Sequence, residues 1–125
     1  MKHLLDSNLL IYAARPQPSY NVLRTWVERA DSCVSAITLV EVLGFVKMQP
    51  EDALFFSIAF DFLPQLDITA TIISRAIAIR RQIRLKTPDA IIAATALEHG
   101  LELVAADSDF ARVVGLVVLN PFAVS

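Results

Sequence analysis

A chain of 125 residues is long enough for one domain with a real hydrophobic core, which needs neither disulfides nor a structural metal. The formal net charge of -2 excludes a strongly basic nucleic-acid coat, and the single cysteine, Cys33, excludes an intrachain disulfide and disfavours a thiolate zinc centre. Hydrophobic residues make up 55% against 19% charged, an excess that predicts a covered patch of exterior, through self-association or a partner protein. The N-terminal apolar run is too short for a signal peptide, and charge interrupts every apolar stretch well before the ~20 residues of a spanning helix. A soluble, cytoplasmic protein with no membrane contact is expected.

The predicted elements alternate. A short buried strand over His3 to Leu5 ends at Asp6, and a helix over Asn8 to Ala14 stops near Pro16 and Pro18. Val22, Leu23, Trp26 and Val27 recur at helical spacing within a helix from Tyr20 to Ala30. A strand over Ser32 to Ser35 leads to a helix from Thr38 to about Lys47, and Pro50 opens another that runs to about Leu63. Leu66 to Ile68 reads as a third strand. Thr71 to Arg84 is a long helix with an apolar face of Ile72, Ile73, Ala76, Ile77 and Ile79. Thr87 caps a helix with Pro88 at its first position, and Gly100 ends it. Strands over Leu101 to Ala105 and Leu116 to Leu119 flank a short helix after Asp107. This order predicts an α/β three-layer sandwich with a mainly parallel central sheet, in one domain over residues 1–125. Such open sheets bind ligands beyond the carboxyl ends of their strands.

Four acids fall at that edge. Asp6 and Asp107 follow strands, and Glu41 and Asp89 are expected in first helical turns. Each has a local reading as well. Thr38-Leu39-Val40-Glu41 fits a capping box, Asp89 complements a helix dipole, Asp107 fits an N-cap and Asp6 an Asx-turn. Together they predict a shared acidic pocket. Two carboxylates ~4 Å apart repel by about 4 kcal/mol at an effective dielectric of ~20, and a domain's whole stability is only about 5–15 kcal/mol. A divalent cation removes that cost, and an all-oxygen set suits Mg²⁺ or Mn²⁺ rather than zinc. Carboxylates without a catalytic His or Cys best support phosphodiester hydrolysis.

On these residues the chain resembles the PIN-domain family, and within it the VapC-type toxins of toxin–antitoxin pairs. Leu4-Leu5-Asp6-Ser7-Asn8 is similar to the family's opening strand and first acid. Ser35-Ala36-Ile37-Thr38-Leu39-Val40-Glu41-Val42 is similar to its second motif. Asp89-Ala90-Ile91-Ile92-Ala93-Ala94-Thr95-Ala96 is similar to its third, and Leu103-Val104-Ala105-Ala106-Asp107-Ser108-Asp109-Phe110 to its last. The resemblance implies a Mg²⁺- or Mn²⁺-dependent endoribonuclease acting on RNA, dimeric, and held inactive by a cognate antitoxin. It implies Asp6, Glu41, Asp89 and Asp107 as the working acids, with Asp109 a rival for the fourth metal position. Asn8 and Thr38 are implied to orient acids or water. Ala105-Ala106 departs from the family, where a Ser or Thr commonly precedes the fourth acid. A PIN nuclease for RNA processing without an antitoxin, and a catalytically silent binding module, are the competing readings; the four acids argue against the second.

Arg75, Arg80, Arg81, Arg84 and Lys86 cluster before Asp89. They form either a path for RNA phosphates, with Lys86 and Arg84 nearest the motif, or a solvated helix end. Phe55 and Phe56 are adjacent, so one of them is expected to face a dimer or antitoxin surface. His3 and His99 are assigned no catalytic role.

Overall fold

A computed structural model describes residues 1–123. The elements are β1 (His3–Leu5), α1 (Ser7–Ala13), a 3₁₀ turn (Pro18–Tyr20), α2 (Asn21–Glu28), β2 (Ser32–Ser35), α3 (Ala36–Leu43), α4 (Pro50–Phe62), β3 (Gln65–Leu66), α5 (Ala70–Gln82), α6 (Thr87–His99), β4 (Glu102–Val104), a second 3₁₀ turn (Ser108–Arg112) and β5 (Val118–Leu119). All five strands lie parallel in one sheet of order β3-β2-β1-β4-β5.

The three central strands are buried on both faces apart from Glu102, and their central residues Leu4, Leu5, Cys33, Val34, Leu103 and Val104 are apolar. Their side chains alternate between two cores. Leu4, Cys33 and Leu103 pack with Ile72, Ala76 and Ile79 of α5 and Ile92, Ala93 and Ala96 of α6. Leu5, Val34 and Val104 pack on the other side with Leu10 of α1, Leu23 and Trp26 of α2, Val42 of α3 and Phe56 of α4. The result is the three-layer α/β sandwich. α6 is buried on most of its circumference, and its run of alanines permits that close packing.

Several boundaries and one packing expectation differ. The helix expected from Tyr20 begins instead with the tighter Pro18–Tyr20 turn, where a proline fixes the entry. α3 starts at Ala36, not Thr38, because Ser35 caps it by accepting the Ile37 amide, and it stops at Gly44. Lys86, not Thr87, occupies the cap position of α6, with Thr87 and Pro88 inside its first turn; Gly100 ends it in the left-handed conformation at φ 64°. α5 is capped by Thr69, whose hydroxyl accepts the Ile72 amide. Phe55 and Phe56 do lean on the same core, with Phe56 fully buried and the two rings in edge contact at 5.8 Å. The apolar groups that α4 turns outward are Leu54, Ile58 and Phe62, and α5 turns out Ile73 and Ile77.

The strand order sets the place for a site. From central β1 the chain steps outward to β2 and β3, then returns to the other side of β1 for β4 and β5. The crevice beyond the carboxyl ends of β1 and β4 is therefore the point where the winding reverses. α1 and α3 leave β1 and β2 without a loop, so their N-termini stand at that edge. α6 ends just before β4 begins, so it must start at the same edge, about 20 Å away at 1.5 Å per residue. Among the described residues no helix is long and apolar enough to cross a membrane.

Candidate active site

Asp6 is the first residue past β1. Its amide donates to the carbonyl of Val104 on β4 at 3.1 Å, which pins it across the reversal crevice. It is only 3% exposed. Burial pushes its carboxyl up to about 7; the charge of Asp89 adds to the rise, as do Glu41 and Asp107, while the Ser7 amide opposes it. Asp89 stands in the first turn of α6. Burial first, then Glu41, Asp107 and Asp109, raise it to about 6, and the Lys86 ammonium opposes them. Carboxylates from four separate segments of the chain thus meet at one edge of the sheet, where Asp6 and Asp89 feel their charge.

Glu41 arrives differently from expectation. Because α3 begins at Ala36, Glu41 lies in its second turn, and Thr38 lies inside the helix, fully buried, rather than at its cap. The capping-box reading is thereby excluded. Ser7 Oγ lies 2.7 Å from Glu41 Oε1 and 2.9 Å from Thr38 Oγ1. Ser7 has one hydroxyl proton, so the arrangement closes when it donates to Glu41 and accepts from Thr38. This chain links the start of α1 to α3 and fixes the Glu41 carboxylate. Ser7 is absent from the residues singled out by motif. Its signal was a polar side chain on the buried stripe Ser7, Leu10, Ile11 of α1.

Asp107 does cap the second 3₁₀ turn, accepting the Asp109 amide at 2.9 Å, and still presses on Asp6 and Asp89. Asp109 is exposed and lies 3.6 Å from the Arg112 guanidinium. Asn8 is exposed on α1 and, with Asp6, Ala106 and Asp107, lines a cleft of about 320 Å³. Leu9 and Leu23 also line it, as do Tyr12, Tyr20 and Phe122, aromatics that no motif marked.

Among the basic residues, Lys86 alone acts on Asp89. Arg84 lines a separate pocket with Arg80 and Arg81, and its carbonyl accepts a hydrogen bond from Arg112. Arg75 is tied to Glu98 at 2.8 Å. His3 opens β1 at the opposite edge, between Asp31 and Glu102, and His99 closes α6.

Among the described residues no three His, Cys, Asp or Glu side chains close around a single point. The donors nonetheless suit a hard cation. All are carboxylate oxygens, Asp6 and Asp89 are raised by burial and by neighbouring carboxylates, and Mg²⁺ keeps several waters and takes only one or two carboxylates directly.

A family model described as PIN domain matches residues 3–116. The chain is similar to one in a toxin-antitoxin complex from Klebsiella pneumoniae, with 32% identity, a TM-score of 0.78, and 96% of this chain and 98% of that one covered. It is similar in fold to a chain of VapBC2 from Rickettsia felis bound to a DNA fragment from their promoter, at 23% identity and a TM-score of 0.77, over 96% and 98% of the two chains. It is also similar in fold to Mycobacterium tuberculosis VapC20, described as a Sarcin-Ricin loop cleaving toxin, at 16% identity and a TM-score of 0.72, over 93% and 97%. No curated protein matches.

The raised carboxyl of Asp6 has a consequence for stability. Its folded pKa, about 7, lies above the ordinary 3.8, so the folded state holds a proton that the unfolded chain releases between those values. This contribution is fully present below about pH 4 and is lost as pH rises through about 7. In chelator, the stability advantage of Asp6→Asn over the parent is therefore expected to be larger at pH 8 than at pH 5. Urea melts at both pH values check this, and a difference that does not change with pH would contradict it.

Proposed function

The chain belongs to the PIN-domain family, and from that premise we propose that it is a metal-dependent endoribonuclease, the toxin of a toxin–antitoxin pair. The observation that carries this reading is the pair of acids, Asp6 and Asp89, held at the reversal crevice with carboxyls raised by burial and by the carboxylates around them, Glu41 and Asp107 acting on both. RNA as substrate and an antitoxin as partner rest on the resemblance to VapC-type toxins. In this reading residues 1–125 form one PIN unit that works in the cytoplasm.

Asp6, Asp89 and Asp107 hold Mg²⁺ or Mn²⁺, with Asp109 at the rim as a further oxygen donor. A divalent cation among these acids supplies neutralisation of phosphate charge and a more acidic water. Glu41, aimed by Ser7 and Thr38, accepts the proton of the attacking water; its bond from Ser7 leaves the second carboxylate oxygen available. Asn8, at the cleft, orients water or the acids. Lys86 receives the backbone phosphate next to Asp89, and Arg84, with Arg80 and Arg81, continues the basic path. The outward apolar faces of α4 and α5 support two contacts, one with a second copy in a homodimer and one with the antitoxin.

Cleavage of single-stranded RNA in Mg²⁺ or Mn²⁺ tests the reading. Asp6→Asn and Asp89→Asn are expected to fall to background, and Glu41→Gln to lose about 10²-fold or more. Equal rates in all three variants and the parent would reject the site. For Lys86→Glu, the affinity for RNA is expected to drop and the logarithmic salt slope to shrink by about 1. An unchanged slope would remove Lys86 from the phosphate path.

A further inference from the structure

The cleft beside the acids is not itself acidic along most of its wall. Tyr12 follows Asn8 by one helical turn on the same face of α1, and both line the cleft with Asp6 and Asp107. Tyr20, in the Pro18–Tyr20 turn, stands 5.3 Å from Tyr12 between ring centres, with the planes 38° apart. Phe122, beyond β5, stands 6.5 Å from Tyr20. The three rings form a continuous wall, and Leu9 and Leu23 line the same hollow. Tyr12 is 48% exposed and Phe122 is 50% exposed, so the wall leaves aromatic surface in water at the mouth of the site.

We propose that this cleft is a nucleobase subsite, in which the wall of Tyr12, Tyr20 and Phe122 takes an unstacked base of single-stranded RNA while the adjoining acids face its phosphate. The inference rests on the ribonuclease reading for the identity of the strand. The occupant is argued from the cleft's own chemistry. Asp6 and Asp107 share the lining of the cleft with three aromatic rings, which pairs a place for cation-bridged phosphate with a place for a flat apolar ring. A nucleotide presents those two groups side by side. Aromatic stacking serves any base and demands that the base be free of a duplex. The subsite therefore selects unpaired RNA more than it selects sequence.

The test uses the full chain in an Asp89→Asn background, which suppresses cleavage, with a short fluorescein-labelled single-stranded RNA and the same RNA as a blunt duplex. Fluorescence anisotropy gives both affinities. Adding Tyr12→Ala is expected to weaken binding of the single strand about ten-fold, and Phe122→Ala to weaken it in the same direction. Tyr12→Phe is expected to retain affinity, and none of the three to alter duplex binding. Single-strand affinity unchanged in both alanine variants would overturn the subsite, including the case in which the cleft serves a protein partner. An equal loss on single strand and duplex would also overturn it. The nuclease reading fails separately: if the parent chain does not cleave RNA in Mg²⁺ or Mn²⁺ but Tyr12-dependent single-strand binding persists, the subsite stands without it. RNA that does not bind at all removes both.

Discussion

Repulsion between Asp6 and Asp89, set in a crevice where water cannot fully screen it, is the constraint around which this fold is arranged. Burial alone would favour protonation of Asp6, and three further carboxylates push in the same direction. A fold that only needed stability would place apolar or amide groups there. Here the opposite is built with care. Asp6 is pinned by a backbone bond to β4, α6 is brought back across the sheet to deliver Asp89, and Ser7 and Thr38 hold Glu41 from below.

The remainder of the architecture serves that crevice. Parallel strands with two apolar faces give it a rigid floor, and the reversal of winding at β1 opens it between two strands instead of against a helix. The amino edge carries a different set of charges: His3, between Asp31 and Glu102, and Arg29 over the Trp26 ring. Those pairs hold the Asp31 carboxyl well below its usual range, chiefly through Arg29, so the acids at the two edges are driven in opposite directions. Neighbouring cations lower the acid at one end, and burial with neighbouring anions raises the acids at the other.

Much of this was legible in the sequence because the signals were local. His3 to Leu5 and Ser32 to Ser35 are apolar or small-residue runs ended by polar residues, and Pro50, Pro88 and Gly100 punctuate helices close to where they fall. Asp6 and Asp89 were readable from their place at element ends. What failed was information that depends on packing. Glu41 and Thr38 looked like a cap because Ser35, one turn earlier, offers the same chemistry, and only the backbone decides between them. Phe55 and Phe56 looked incompatible with one core, yet edge contact lets both use it. The Ser7 relay and the wall of Tyr12, Tyr20 and Phe122 join residues from distant segments, which spacing along the chain does not reveal.

The central claim of the proposed reading is that these raised acids bind a divalent cation, and calorimetric titration of Mn²⁺ in two buffers of different ionisation enthalpy tests it most directly. Asp6 and Asp89 titrate near about 7 and about 6, so between those values each is partly protonated in the metal-free protein. Cation binding demands both carboxylates ionised, and the account predicts saturable Mn²⁺ binding that releases protons in this range; the release fades above about pH 8 while the binding persists, and Asp6→Asn diminishes the binding. Binding without proton release, or no binding at pH 8, would contradict it.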